Sequence, residues 1–184
     1  MHEEMPQPCQ REMVGFQLWV NLPASLKMTP PRYQNIASAQ IPEIYREDGV
    51  KIRVIAGEVD GIRGPVTDIF ANPTYMDVSI PANGAFSYPL ERGHTVFAYV
   101  FEGQGVFGAG GRQKGEMVTD PRLVVLSDAG IFEARATESH VRFLLIAGKP
   151  LKEPMARYGP FVMNTQDEIQ QALKDLKNGT FVQN

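Results

Sequence analysis

Apolar and polar residues alternate along Phe16-Gln17-Leu18-Trp19-Val20-Asn21-Leu22, the period-two pattern of a strand with one apolar face. The alternation returns in short runs from Val50: Val50 to Val59, Val66 to Phe70, Tyr75 to Ile80, Thr95 to Phe101, Leu123 to Leu126 and Val141 to Ala147. Met76, Val78 and Ile80 are expected to face inward. Turn residues separate the runs at Pro81-Ala82-Asn83-Gly84, Gly103, Gly110-Gly111 and Asp128-Ala129-Gly130. Many short strands at this spacing predict an all-β barrel or sandwich. Near the carboxy terminus the period changes: Ile169, Ala172, Leu173 and Leu176 fall at i, i+3, i+4 and i+7. Thr165 opens a capping box with Glu168, and Lys177 and Gly179 mark the end, which predicts one helix with a buried apolar stripe.

Between the first strand and the barrel runs, Pro23, Pro30, Pro31 and Pro42 predict an ordered extended linker and not a helix. Net charge is −3, with Lys and Arg scattered among Asp and Glu, so the chain lacks the basic footprint of direct nucleic-acid binding. Cys9 is the single cysteine, which excludes an internal disulfide and points to a reducing compartment. No run approaches the roughly 18 apolar residues of a membrane helix. These features predict no membrane partner and a cytoplasmic protein, with the nucleus open to it in a eukaryote.

One metal-like spacing is present. In an extended chain His2 and Glu4 point to the same side, their Cα atoms about 6–7 Å apart, and can converge on one ion. Imidazole and carboxylate ligands with open coordination positions suit non-haem iron or a similar first-row metal. Two ligands do not make a tight site. Gly103-Gln104-Gly105-Val106-Phe107-Gly108 fits a dinucleotide-loop spacing, but Ala109-Gly110-Gly111-Arg112 follows where a helix must open. Those glycines are expected to form a hairpin turn and a strand with close neighbours. His94 and His140 lack a second ligand at matching spacing and are not expected to bind metal.

Gly15-Phe16-Gln17-Leu18-Trp19-Val20-Asn21-Leu22-Pro23 followed by Lys27-Met28-Thr29-Pro30-Pro31-Arg32-Tyr33-Gln34 resembles the signature of the pirin family. Val54-Ile55-Ala56-Gly57-Glu58, the run Leu145 to Pro154 and the run Tyr158 to Thr165 resemble further pirin motifs, from Met1 to about Gly179. The resemblance implies a cupin, a double-stranded β-helix or jelly-roll-like barrel, with a carboxy-terminal α-helix. It implies residues 1–22 as the last strands of an amino-terminal cupin whose first half is lacking, 23–48 as linker, 49–160 as the carboxy-terminal barrel, and 161–184 as returning segment and helix. Where a ligand-bearing cupin places histidines after Gly84, this chain has Phe86, Tyr88, Leu90 and Arg92, so the second barrel is expected to be filled by side chains and to hold no metal.

In pirins a His-x-His pair and a later His-x-Glu pair hold the metal, and His2 and Glu4 match the second pair. The resemblance therefore implies Fe(II) or another divalent first-row ion, with Glu4 as ligand and base. It also implies a flavonol-like substrate and quercetin 2,3-dioxygenase-like chemistry. With half the ligands, the chain alone is expected to be weak or inactive unless the His-x-His segment is supplied. The contrasting expectation is a non-catalytic interaction module, a co-regulator of the pirin type with a protein partner. Self-association through the exposed amino-terminal strand is expected as well.

Overall fold

The computed structural model describes residues 15–109, 115–126 and 130–182. It divides into two compact units, one spanning Gln34–Pro150 and one combining the residues up to Tyr33 with those from Leu151 onward.

The Gln34–Pro150 unit is built from antiparallel strands β1 (Glu43–Tyr45), β2 (Lys51–Ala56), β3 (Glu58–Val59), β4 (Ile62–Arg63), β5 (Thr74–Ile80), β6 (Ala85–Pro89), β7 (Thr95–Ala109), β8 (Glu116–Thr119), β9 (Arg122–Leu126) and β10 (Ile131–Gly148). Two long strands organise it. The second half of β10, from Val141, pairs with β5 on one side and with the first half of β7 on the other. β2 and β1 extend that sheet beyond β5, and β9 extends it beyond β7. The first half of β10 pairs with β6 and with the second half of β7, which carries β8. β7 and β10 therefore run through both halves of a cupin-type barrel, bending at register shifts between Ala136 and Val141 and between Arg142 and Phe143.

Period-two patterning places the core. Ile52 and Val54 of β2, Met76, Val78 and Ile80 of β5, and Val141, Phe143 and Leu145 of β10 are fully buried in one continuous cluster. Each such side chain contributes about 1.5–3 kcal/mol of transfer free energy. The turn expected at Pro81–Gly84 is present: the Gly84 amide donates to the Pro81 carbonyl at 3.0 Å, and Asn83 takes a positive φ of 61°.

Three expectations are corrected. Val66 to Phe70 is no strand but a single parallel bridge from Val66 to Ala56, because Asp68 sits at φ 58° and breaks the pleat. Gly103 is not a hairpin turn, since β7 continues through it to Ala109. It is instead the close-contact glycine of that strand: its φ is +77°, and a Cβ there would collide with the His140 carbonyl oxygen. Residues 15–23 form no strand, and Phe16, Leu18, Trp19, Val20 and Leu22 are all exposed, so neither face of the alternation is buried. A period-two pattern becomes a strand only where a ladder forms, and none forms over this run among the described residues.

In the other unit, β11 (Ala156–Tyr158) and β12 (Phe161–Met163) form a hairpin that leads into α1 (Gln166–Asn178). The capping box is as expected: the Glu168 amide donates to Thr165 Oγ1 at 3.2 Å, and the Thr165 amide donates to Glu168 Oε2 at 2.8 Å. Gly179 closes the helix at φ 72°. Ile169 and Ala172 are buried against Ala156 and Met163, with Leu173 partly buried. Leu176, expected on the buried stripe, is 56% exposed, because the core of this unit ends one turn earlier.

Candidate functional site

The interior of the barrel is aromatic. Phe86 enters from β6, Phe107 from β7, and Phe132 and Phe143 from the two halves of β10, all fully buried or nearly so. Their ring centroids lie 5.1–6.2 Å apart in edge and tilted pairs, each worth about 0.5–1.5 kcal/mol beyond area burial. Of the residues expected to fill the barrel after Gly84, Phe86 and Leu90 are buried, Tyr88 packs half-buried against the core, and Arg92 is exposed.

Metal-ligating side chains do not converge here. Among the described residues no group of three or more His, Cys, Asp or Glu is placed to hold an ion. His94 Nε2 meets one carboxylate, Glu91 at 2.9 Å, and His140 Nε2 meets another, Glu102 at 2.9 Å. No charged or polar side chain is fully buried among the described residues. Among the described residues the donor set of this barrel therefore does not fit a metal, which needs three or more converging ligands. His2, Glu4 and Cys9 lie outside the described residues, so the structure neither joins nor separates the predicted ligands.

A cavity of about 500 Å³ opens beside this aromatic cluster, lined by the β1–β2 turn, β6, β7 and the first half of β10. Arg46 lies over the Phe86 ring, 5.4 Å from its centroid, and its Nε and Nη2 donate to the Asp60 carboxylate at 3.1–3.3 Å. Asp48 Oδ1 accepts from the Val50 amide at 3.1 Å and fixes the turn that presents Arg46. On β10, Glu133 and Arg135 are exposed between buried Phe132, Ala134 and Ala136. Two cations and two carboxylates thus border an apolar floor, an arrangement suited to holding a polar small molecule. Sequence reasoning passed over these residues because they come from segments far apart in the chain. The one local signal was the strict alternation from Ile131 to Ala136, which marks Glu133 and Arg135 as outward.

Residues 75–182 match the family model described as the pirin C-terminal cupin domain, more than half of the chain. The chain belongs to the pirin family. It is 42% identical over 183 residues to a Pseudomonas aeruginosa protein provisionally named a quercetin 2,3-dioxygenase, covering 97% of this chain and 63% of that protein. To human pirin it is 38% identical over 181 residues, covering 97% of this chain and 60% of that one. A crystal structure of quercetin 2,3-dioxygenase from Acinetobacter baumannii superposes with a TM-score of 0.75 at 38% identity, over 89% of this chain and 55% of that chain. The chain thus spans about three-fifths of the length of these pirin relatives. No helix among the described residues is long and apolar enough to cross a membrane.

Proposed function

We propose that this pirin supports quercetin 2,3-dioxygenase-like chemistry only through a metal held at His2 and Glu4 together with further imidazole ligands, and that the barrel within residues 49–160 works without one. The observation that supports this division of labour is the aromatic interior, which Phe86, Phe107, Phe132 and Phe143 fill with rings that cannot ligate a metal. Fe(II) or another divalent first-row ion, when bound, supplies a Lewis-acid site for a flavonol oxygen. Glu4 is the carboxylate assigned to accept the flavonol hydroxyl proton, and His2 the neutral imidazole that shares the ion with it. Residues 1–22 then belong to the metal-bearing cupin, 23–48 to the linker, and 161–184 to the returning segment and helix. A cytoplasmic setting, with the nucleus open in a eukaryote, fits this chemistry.

The second reading is an interaction module of the pirin co-regulator type, binding a protein partner or a second copy. It is favoured by exposed Phe16, Leu18, Trp19, Val20 and Leu22, at 37–50% of full accessibility, a cluster of large apolar side chains of the kind that marks association surfaces. Anaerobic loading with ferrous iron followed by elemental mass spectrometry separates the two. About one iron per chain, lost in His2→Ala and accompanied by oxygen uptake with quercetin, establishes the first reading. A chain that holds no iron leaves the second, which a concentration series in analytical ultracentrifugation then tests.

A further inference from the structure

Of residues 15–33, Pro23 alone is buried, so this stretch brings little apolar area to its unit. Polar anchors to the returning segment hold it instead. Pro23 leads into a single helical turn over Ala24–Leu26, whose first amide has no partner within the turn. That amide, of Ala24, donates to Glu153 Oε2 at 2.8 Å, across 129 positions of sequence. Arg157 lies over the Trp19 ring, 5.9 Å from its centroid. Lys27 Nζ donates to Asn21 Oδ1 at 2.7 Å. Burial pulls the Lys27 ammonium below its ordinary range, while the Glu153 and Glu168 carboxylates pull it back up, so both lie within reach of its charge.

The chain of contacts does not end at Glu153. The oxygen that takes the Ala24 amide also accepts from Asn164 Nδ2 at 3.0 Å, and Nδ2 donates to the Pro154 carbonyl at 3.0 Å as well. The Asn164 backbone amide in turn donates to Glu168 Oε2 at 2.8 Å, the same oxygen that takes the Thr165 amide. Thr165 and Glu168 are the capping box of α1. Asn164 therefore stands between two carboxylates, its side chain on the one that holds Ala24 and its backbone on the one that starts the helix. Groups in one hydrogen-bond network do not act independently, so a displaced Asn164 loosens both ends.

A stretch with few buried apolar contacts and exposed hydrogen bonds belongs to the low-stability end of a structure and opens ahead of the rest. We propose that residues 19–27 form a releasable strap on the returning segment, and that its docking and the capping of α1 are coupled through Asn164, each stabilising the other. Such coupling is reciprocal: loosening the strap frays the first turn of α1, and fraying that turn releases the strap by the same factor. Trp19, Val20 and Leu22 ride on the strap, so α1 senses whatever grips them. The coupling itself does not depend on the association reading above.

The test is amide exchange of the full chain, ¹⁵N-labelled, read at Ala24 and at Ile169, whose amide donates to the Thr165 carbonyl at 3.3 Å. Ala24→Pro deletes only the donor of the strap, at the first position of a turn and after an extended residue, where proline is tolerated. It should speed exchange at Ile169 about fivefold or more, and Trp19→Ala should act in the same direction. Val78 and Leu145 of the barrel should keep their protection, which shows that each variant is folded. Thr165→Ala, made at the other end, should speed exchange at Ala24 by a comparable factor. In an Asn164→Ala background neither effect should cross. Exchange of Ala24 at the free-peptide rate in the unaltered chain would overturn the docking. Ile169 unchanged in Ala24→Pro, Ala24 unchanged in Thr165→Ala, or transmission that survives Asn164→Ala would each overturn the coupling.

Discussion

Arg142 on β10 grips Asp77 on β5 at two points, Nε donating to Oδ1 at 2.9 Å and Nη2 to Oδ2 at 2.6 Å. The carboxylate is only 12% exposed, and the guanidinium also stacks on Phe101, 5.0 Å from the ring centroid. Glu102 extends the group, meeting Arg142 Nη1 at 3.8 Å and His140 Nε2 at 2.9 Å. The Asp77 carboxylate beside Arg142 holds its guanidinium above the usual arginine range.

Breaking this fork should cost stability. Asp77→Asn or Arg142→Ala is expected to lower the unfolding free energy by about 1.5–3 kcal/mol, the range for hydrogen bonds to charged groups. Arg142→Lys should recover little, because an ammonium cannot reproduce the planar two-point contact. Urea denaturation of the three variants checks both statements.

Gly103 and Gly61 offer a paired test of the backbone. Both have positive φ, +77° and +79°, but a Cβ at Gly61 meets open space, whereas at Gly103 it meets the His140 carbonyl oxygen. Gly61→Ala should cost about 1–2 kcal/mol of left-handed strain alone. Gly103→Ala should cost clearly more and disturb the β7–β10 crossing, seen as a lower melting temperature and altered His140 and Val141 amide signals.

Phe143→Ala should destabilise the barrel by about 3–5 kcal/mol, the usual cost of removing a fully buried phenylalanine. It touches Phe86, Phe107 and Phe132, so the cavity it leaves has few routes to collapse. Differential scanning calorimetry measures the loss, and binding of benzene or xenon would reveal the void.

Glu168 governs the acid side of the helix. Backbone amides of Asn164 and Thr165 hold its carboxyl below the ordinary value, and the unfolded chain lacks those bonds. Its folded value therefore lies below its unfolded one, so the stability it contributes is complete above the ordinary carboxylate range and is lost as pH falls through the folded value. Glu168→Gln should flatten the acid limb of a helix melt followed by circular dichroism. Thr165→Ala should cost about 0.5–2 kcal/mol at every pH.

Chelation distinguishes scaffold from chemistry. Treatment with EDTA is expected to leave the melting of the barrel unchanged, since its interior is packed by phenylalanines, while removing any quercetin-dependent oxygen uptake. A drop in barrel stability on chelation would place the metal inside it and overturn the proposed division.

Local pattern was enough to show the barrel and the helix. The alternation of Met76, Val78 and Ile80 fixed their inward face, and Thr165 with Glu168 fixed where α1 begins, because each signal is complete within a few residues. The run Phe16 to Leu22 carries an equally good alternation and forms no strand, since pairing is a property of two segments and only one of them is written in that run. The turn read at Gly103 failed for a related reason. Its glycine answers to His140, thirty-seven positions away, and not to its neighbours. The cavity beside Phe86 was equally out of reach, since Arg46 meets Phe86 only through closure of the sheets.

That closure also dictates when the barrel can come into being. β5, β6 and β7 all take β10 as a partner, and β10 runs from Ile131 to Gly148, behind every other strand of its unit. During synthesis the earlier strands emerge with their apolar faces bare and no common partner to pair with. The β1–β2–β5 and β8–β7–β9 ladders need no part of β10, but the barrel can close only when this last strand has emerged. Until then the nascent chain is a natural client for whatever shields hydrophobic surface at the tunnel exit.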